Sequence, residues 1–327
     1  MIYCDYFVSD SKGYFTYFAI AEPDTLIFNP GTQFIEYLVY IFYNFLNLSW
    51  FGQFMFFHLF GFLGILLFYS SIVQTIKDQL IKKIALVIIF FPSIHFWSVA
   101  IGKEPFSMMS IGLTLYSIID LKNRYLLLIF GIFTMFMIRP HIAGIMIISF
   151  VLYFIITINI NSIMKILIFF IGICIAVLIG NIFLNYMGLG VSDVKEYILL
   201  KGTFNQHGDG AVDITQMTYL EQLFTYAFRP VFYDVKNILG FFVSFENLFF
   251  LVLFILFLYE FFRIRLNYSE SYFIYIFIYT IVIWSLLAMT TANLGISLRQ
   301  KWMFFPFFLF LILNYLDKRG RDKTCVE

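Results

Sequence analysis

The sequence predicts an all-α, polytopic integral membrane protein with nine or ten transmembrane helices and one large outer loop. Three observations predict it. Of 327 residues, 61% are hydrophobic and 13% charged, with a mean hydropathy of +0.89. An average soluble domain carries about 25% charged residues, and most of its surface must face water. This composition excludes a soluble globular protein, a disordered chain and a nucleic-acid binder of the usual basic type. Second, apolar runs recur at the length a bilayer needs, roughly 17–25 residues. Third, the basic residues between those runs fall on one side of the membrane.

In chain order, the N-terminal segment holds Asp5, Asp10, Glu22 and Asp24 against Lys12. Met1 to Ser11 contains two Asp and no Lys or Arg, which does not describe a cleavable signal peptide. Residues 33–49 have two open assignments. As a span they put the N-tail in the cytoplasm; as an interfacial or re-entrant piece they leave it outside. Spans are expected at 53–74, 84–101, 104–119, 125–139, 141–158, 166–187, 238–260, 271–291 and 302–316. All are read as helices, because lipid offers no partners for unpaired backbone groups. Lys77, Lys82 and Lys83 form one basic loop; Lys122 with Arg124, Lys165, Arg263 with Arg265, and the tail Lys318, Arg319, Arg321 and Lys323 form the others. All five share a side under this span list, which makes that side cytoplasmic.

The remaining long stretch, 188–237, lies on the opposite side within a single transmembrane domain of residues 1–327. Gly202 to Gly210 reads as mobile, and Tyr219 to Phe228 as an amphipathic helix lying on the membrane. Cys4, Cys174 and Cys325 are too few and too scattered for a disulfide framework or a metal site. No zinc-site spacing, phosphate-binding loop or nucleophile elbow is present, so no metal and no cofactor are expected.

Several charges break the positive-inside pattern. Lys103 and Glu104 occupy an outer turn, Arg139 precedes Pro140 and His141, Arg229 precedes Pro230, and Arg299 and Lys301 open the last span. Charge at membrane depth is costly and usually pairs or lines a polar cavity. With His95, His141 and His207, the outer face collects the makings of an anion site. Bland readings stand beside it. Any one Arg can pair with a carboxylate or a lipid phosphate. Lys301, next to Trp302, reads best as a snorkelling lysine. His58 reads as a hydrogen-bonded core residue, and Glu246 equally as a buried partner for an Arg. Arg139 is the hardest to explain structurally, because apolar sequence flanks it on both sides and Pro140 breaks the helix there.

Outside the cytoplasm there is no nucleotide-sugar pool, so a glycosyl donor must ride on a lipid phosphate. Such chemistry needs arginines over the phosphate leaving group, a base for the attacking hydroxyl, an apolar groove for the lipid tail and a mobile loop. Arg139, Arg229 and Arg299 are the clamp candidates, with Lys103 and His95 as further binding groups. His141, His207, Asp10 and Glu246 are the base candidates.

Five segments carry a resemblance: Asp10-Ser11-Lys12-Gly13-Tyr14; Phe91 to Ser98 followed by Ile101-Gly102-Lys103-Glu104; Arg139-Pro140-His141; Phe228-Arg229-Pro230 leading to Ser244-Phe245-Glu246; and Ala292 to Gln300. In order and topology the chain resembles the bacterial O-antigen and oligosaccharide repeat-unit polymerases, over most of its length but through short, loose motifs. The resemblance implies an inner-membrane glycosyltransferase whose active site faces the periplasm. Its substrate would be an undecaprenyl-diphosphate-linked glycan and its setting the lipid bilayer. A chain-length regulator protein would be a partner, and nucleic acid would not. Relatives usually carry a further span before the Asp10-like segment, which leaves the role of Asp10 open. Rival readings are a transporter or flippase of lipid-linked glycan, a side-branch glycosyltransferase or ligase of the same donor class, and a membrane acyltransferase. The lack of an internal repeat and the clustering of charge at outer helix ends count against transport.

Overall fold

The computed structural model describes residues 9–21, 26–159, 161–186, 210–235, 238–263 and 270–324. Among these residues there is no strand, and Ala211 and Asn293 form an isolated bridge. The helices are α1 Ser9–Gly13, α2 Thr32–Asn44, α3 Trp50–Thr75, α4 Gln79–Ile89, α5 Pro92–Ser98, α6 Glu104–Ile119 and α7 Leu121–Ile138. They continue with α8 Pro140–Thr157, α9 Ser162–Tyr186, α10 Tyr219–Phe228, α11 Ile238–Arg263, α12 Tyr272–Thr290, α13 Leu294–Gln300 and α14 Phe305–Thr324.

Among the described residues, five helices (α3, α7, α8, α11 and α12) are long and apolar enough to cross a membrane. The count rises to seven if two bent pairs, α4 with α5 (48°) and α13 with α14 (63°), are each one span. The protein is a multi-pass membrane protein. Two further expected spans take other forms: α6 has 16 residues and is buried over most of its length, and α9 is apolar and lies at the periphery against α8. The expected 33–49 segment is the 13-residue α2. At 1.5 Å per residue it rises about 20 Å, short of a hydrocarbon core of about 30 Å. It buries Ile35, Val39 and Phe42 along one stripe, so the interfacial or re-entrant assignment fits its length better.

Local sequence explains where these helices begin. Ser49 accepts the Gly52 N–H at 3.3 Å and caps α3; Asp78 accepts the Leu80 N–H at 2.7 Å and caps α4. Pro92 and Pro140 sit in the first turns of α5 and α8, where their missing N–H has no intrahelical partner to lose.

The exposed side chains suit a lipid solvent. Phe51, Met55, Leu59, Phe62 and Leu66 form a bare apolar stripe on α3, and Phe241, Phe245, Leu248, Val252 and Ile255 form another on α11. Stripes of this kind on a water-soluble protein would be aggregation sites; in hydrocarbon they are solvated. The interior is aromatic. Phe304, Phe305, Phe307 and Phe310 are fully buried, so the start of α14 is the central pillar of the bundle.

Hydrophobic attraction between helices is weak in lipid, and close backbone approach takes its place. α3 and α6 meet through Gly64 and Gly112, and Gly61 brings α3 against Ser98 at the end of α5. A Cβ on Gly64 would run into the Met108 backbone, and one on Gly112 into the Gly64 backbone. Neither obstacle is a flexible side chain that can swing away. Gly64→Val is therefore expected to destabilise the bundle by about 3 kcal/mol, the upper end for overpacking. Thermal melting of the detergent-purified protein checks this, and an unchanged midpoint would refute the close approach.

One end of the bundle gathers the loops predicted to be basic. The Asp317 carboxylate accepts the backbone N–H groups of Lys77 (2.9 Å) and Asp78 (2.6 Å). Arg124 donates to Gln74 at 2.9 Å, and Lys318 to Glu270 at 2.6 Å. The loops around 77, 124, 270 and 317 thus share one end, as their common parity in the sequence requires.

Candidate functional site

A different set of loops brings Glu104, Arg139 and Arg299 together. Each comes from a break in the helical ladder. Glu104 opens α6, where the unpaired N–H groups and the helix dipole favour a negative charge. Arg139 is the joint between α7 and α8. The residue before a proline is pushed out of the helical region, and Arg139 accordingly has φ −143° and ψ 78°. Arg299 lies in the last turn of α13, whose start is capped by Asn293 accepting the Gly295 N–H at 2.9 Å.

The geometry is a shared carboxylate oxygen. Arg139 Nη2 donates to Glu104 Oε1 at 2.8 Å, and Arg299 Nε lies 3.1 Å from the same atom. Arg139 is only 7% exposed. Two guanidiniums and one carboxylate leave a local charge of one positive unit. Charge-assisted contacts in so dry a setting are strong, and breaking one leaves the partner charge buried.

Two cavities meet at this centre. The inner one is small, about 20 Å³, and is lined by Ile94, Trp97, Ser98, Arg139 and Trp302 as well as Glu104 and Arg299. The outer one, about 230 Å³, is lined by Ser11, Tyr14, Thr32, Gly102 and Lys103, and it shares Trp97, Glu104 and Arg299 with the inner one. Several buried polar atoms around them make no hydrogen bond: Arg139 Nε, Trp302 Nε1 and the Tyr226 hydroxyl, the last within electrostatic reach of Arg139. Buried polar atoms without partners are uncommon, and these are free to bond an incoming ligand.

Residues 210–212 are stitched to this centre. Val212 N–H donates to Ala292 O at 3.0 Å and Leu294 N–H to Gly210 O at 2.8 Å, directly before the helix that carries Arg299. The following helix, α10, is amphipathic as predicted but does not lie on the membrane along its whole length. Thr225, Tyr226, Ala227 and Phe228 are buried in the bundle, and Trp284 Nε1 donates to Leu223 O at 3.1 Å. The C-terminal half of its apolar face packs on α12 and α14 through Phe228, whereas Tyr219, Leu220 and Phe224 stay exposed.

The other predicted residues divide among different places. Lys103 is at the outer cavity, where its Nζ donates to Thr32 Oγ1 at 2.7 Å. Arg229 lines neither polar cavity. Its Nε donates to Asp234 Oδ2 at 3.0 Å, and Val231 N–H donates to the same oxygen at 2.9 Å, so it clamps its own turn. Burial pushes the Asp234 carboxyl up, but the Arg229 hydrogen bond, the Val231 N–H and the Arg229 charge outweigh it and hold it below its ordinary value. His95 Nε2 lies 2.7 Å from Ile89 O, and a carbonyl can only accept, so this ring nitrogen carries the proton and bridges the bend between α4 and α5. His141 is half-buried in the first turn of α8 and is not among the residues lining either cavity. His207 and the side chain of Asp10 lie outside the described residues.

Glu246 belongs to a second polar cluster. Its Oε1 accepts the Ser93 N–H at 3.1 Å. Next to it, Lys301 Nζ donates to Asn247 Oδ1 at 2.6 Å, and Asn247 Nδ2 to Pro230 O at 2.9 Å. Lys301 is completely buried. This corrects the snorkelling expectation: its amine turns inward to an amide, between Phe250 and Phe305, instead of outward to water. Glu246 also lines an apolar groove of about 520 Å³ with Phe91, Pro92, Phe242, Phe245 and Phe249.

Sequence reasoning singled out Arg139 and Arg299 but did not count Glu104, which joins them. Its signal was present: an acidic residue at an outer turn, followed by proline at a helix start. No protein-family model, curated protein or solved structure matches this chain.

Proposed function

We propose that this chain is an integral-membrane glycosyltransferase that polymerises undecaprenyl-diphosphate-linked oligosaccharide repeat units at the periplasmic face of the bacterial inner membrane. The observation that carries this reading is the convergence of Arg139 and Arg299 on a polar cavity in a lipid-embedded bundle. A lipid diphosphate needs both halves of such a site. Arginines match the diphosphate oxygens through paired N–H donors. An apolar groove must take the chain. The seven-residue α5 contributes to both spaces: Pro92 to the groove, and Ile94, Trp97 and Ser98 to the inner cavity.

In the reaction, a hydroxyl oxygen of the acceptor repeat unit attacks the anomeric carbon of the donor glycan. The new carbon–oxygen bond forms as the bond from that carbon to the diphosphate breaks. The hydroxyl proton passes to a base, and undecaprenyl diphosphate leaves with the bonding electron pair. Arg139 and Arg299 stabilise the charge that grows on the leaving oxygen. His141, two residues from Arg139, is the base candidate nearest the clamp in the chain; Asp10 is a second, because its neighbour Ser11 lines the outer cavity.

The test is the surface-glycan ladder. With the gene deleted, lipopolysaccharide or capsule is expected to collapse to a core bearing one repeat unit, and wild-type complementation restores long chains. A ladder that survives with altered mobility would make the protein a branching transferase. Loss of even the single-repeat band would make it a flippase or a ligase.

A further inference from the structure

We propose that Glu104 is a built-in stand-in for the substrate: it occupies the two-arginine site when empty and is displaced when a diphosphate binds. The inference rests on the function proposed above and adds to it how the site is held ready.

Two guanidiniums converge on one oxygen, Glu104 Oε1. Without an anion between them, two positive charges in a largely buried site would repel strongly and face a large desolvation cost. Glu104 removes that cost, but incompletely. It offers Arg139 one contact through Nη2, while Arg139 Nε makes no hydrogen bond although the residue is 93% buried by the exposure given above. A guanidinium has five N–H donors in a fixed fork, so a single-oxygen contact uses little of its capacity. The Trp302 indole N–H on the same cavity wall is also without a partner.

A diphosphate ester fits these leftovers better than the carboxylate does. It brings several oxygens for two forks, and its two negative charges balance two arginines. With Glu104 still in place, its Oε1 occupies the position on which both guanidiniums converge, so a diphosphate oxygen takes that position only when the carboxylate withdraws. Its position permits that: Glu104 is the first residue of α6 and follows the Ile101-Gly102-Lys103 bend, beside the outer cavity into which it can turn. The ligand chemistry is a diphosphate, borne on a lipid or free in solution.

Binding to the full-length protein in detergent micelles tests this with two probes, inorganic pyrophosphate and farnesyl diphosphate. Glu104→Gln removes the competing charge and should bind farnesyl diphosphate about tenfold more tightly than wild type, while Arg139→Ala binds neither probe. Tighter binding of pyrophosphate as well supports the exchange for diphosphate chemistry as such; tighter binding of farnesyl diphosphate alone supports it for a lipid-borne ligand. Equal or weaker binding by Glu104→Gln overturns the stand-in and leaves the clamp intact. If wild type and Glu104→Gln bind neither probe, the diphosphate clamp itself fails, and the stand-in with it. Should Glu104→Gln not fold, Glu104→Asp carries the test. Its shorter carboxylate keeps the charge but holds the arginines less well, and a severalfold gain in affinity is expected from it; no gain overturns the proposal.

Discussion

Arg139→Ala is expected to abolish long-chain glycan, with a loss of at least about 100-fold in polymerisation rate, the scale for removing one electrostatic stabiliser of a leaving group. The residue sits at a helix joint that Pro140 enforces, is almost wholly buried, and faces a cavity rather than lipid. Arg139→Lys separates charge from shape. It keeps the positive charge but loses the planar fork, so it should recover only part of the activity. Arg229→Ala is the contrasting variant. Its side chain is engaged with Asp234 at 3.0 Å and lines neither polar cavity, so its effect should track protein level rather than turnover. Quantifying the glycan ladder against membrane-protein abundance distinguishes the two. Long chains made by Arg139→Ala at normal abundance would sink the clamp.

Lys301→Met should destabilise the bundle by about 1–3 kcal/mol, the cost of leaving a buried hydrogen-bond acceptor without its donor. The amine is 0% exposed and 2.6 Å from Asn247 Oδ1, and Glu246 lies within its electrostatic reach. Methionine restores the volume but leaves the amide oxygen without its donor and Glu246 without a compensating charge. Glu246→Gln alone should also destabilise, since it isolates the lysine. The double variant should cost clearly less than the sum of the singles, because neither charge is then left alone. Melting of the four purified proteins gives the coupling. Simple additivity would show that Glu246 and Lys301 do not act together.

The membrane class was legible because it rests on quantities summed over many residues: apolar run length, charge scarcity and the parity of basic loops. The common end shared by the loops around Lys77, Arg124 and Asp317 reflects that parity. Helix boundaries at Ser49, Asp78, Pro92 and Pro140 followed local chemistry. What sequence pattern carried poorly was partner choice. Arg139, Arg229 and Arg299 look alike in one dimension, each a cation near an outer helix end. In three dimensions two of them share Glu104 and the third closes its own turn on Asp234, five residues away. Lys301 beside Trp302 has the composition of an interfacial anchor, yet the 63° bend between α13 and α14 turns it into the core. The α10 stripe had the period of a membrane-surface helix, and the same period serves a helix docking on its neighbours.

The most direct measurement is chain growth by the purified protein. Reconstituted in lipid nanodiscs and supplied with undecaprenyl-diphosphate-linked repeat units alone, the protein should produce lipid-linked glycans of increasing length. One undecaprenyl diphosphate should be released for each repeat added, and Arg139→Ala should produce neither. Repeat units that remain single, with no diphosphate carrier released by wild-type protein, would contradict the account.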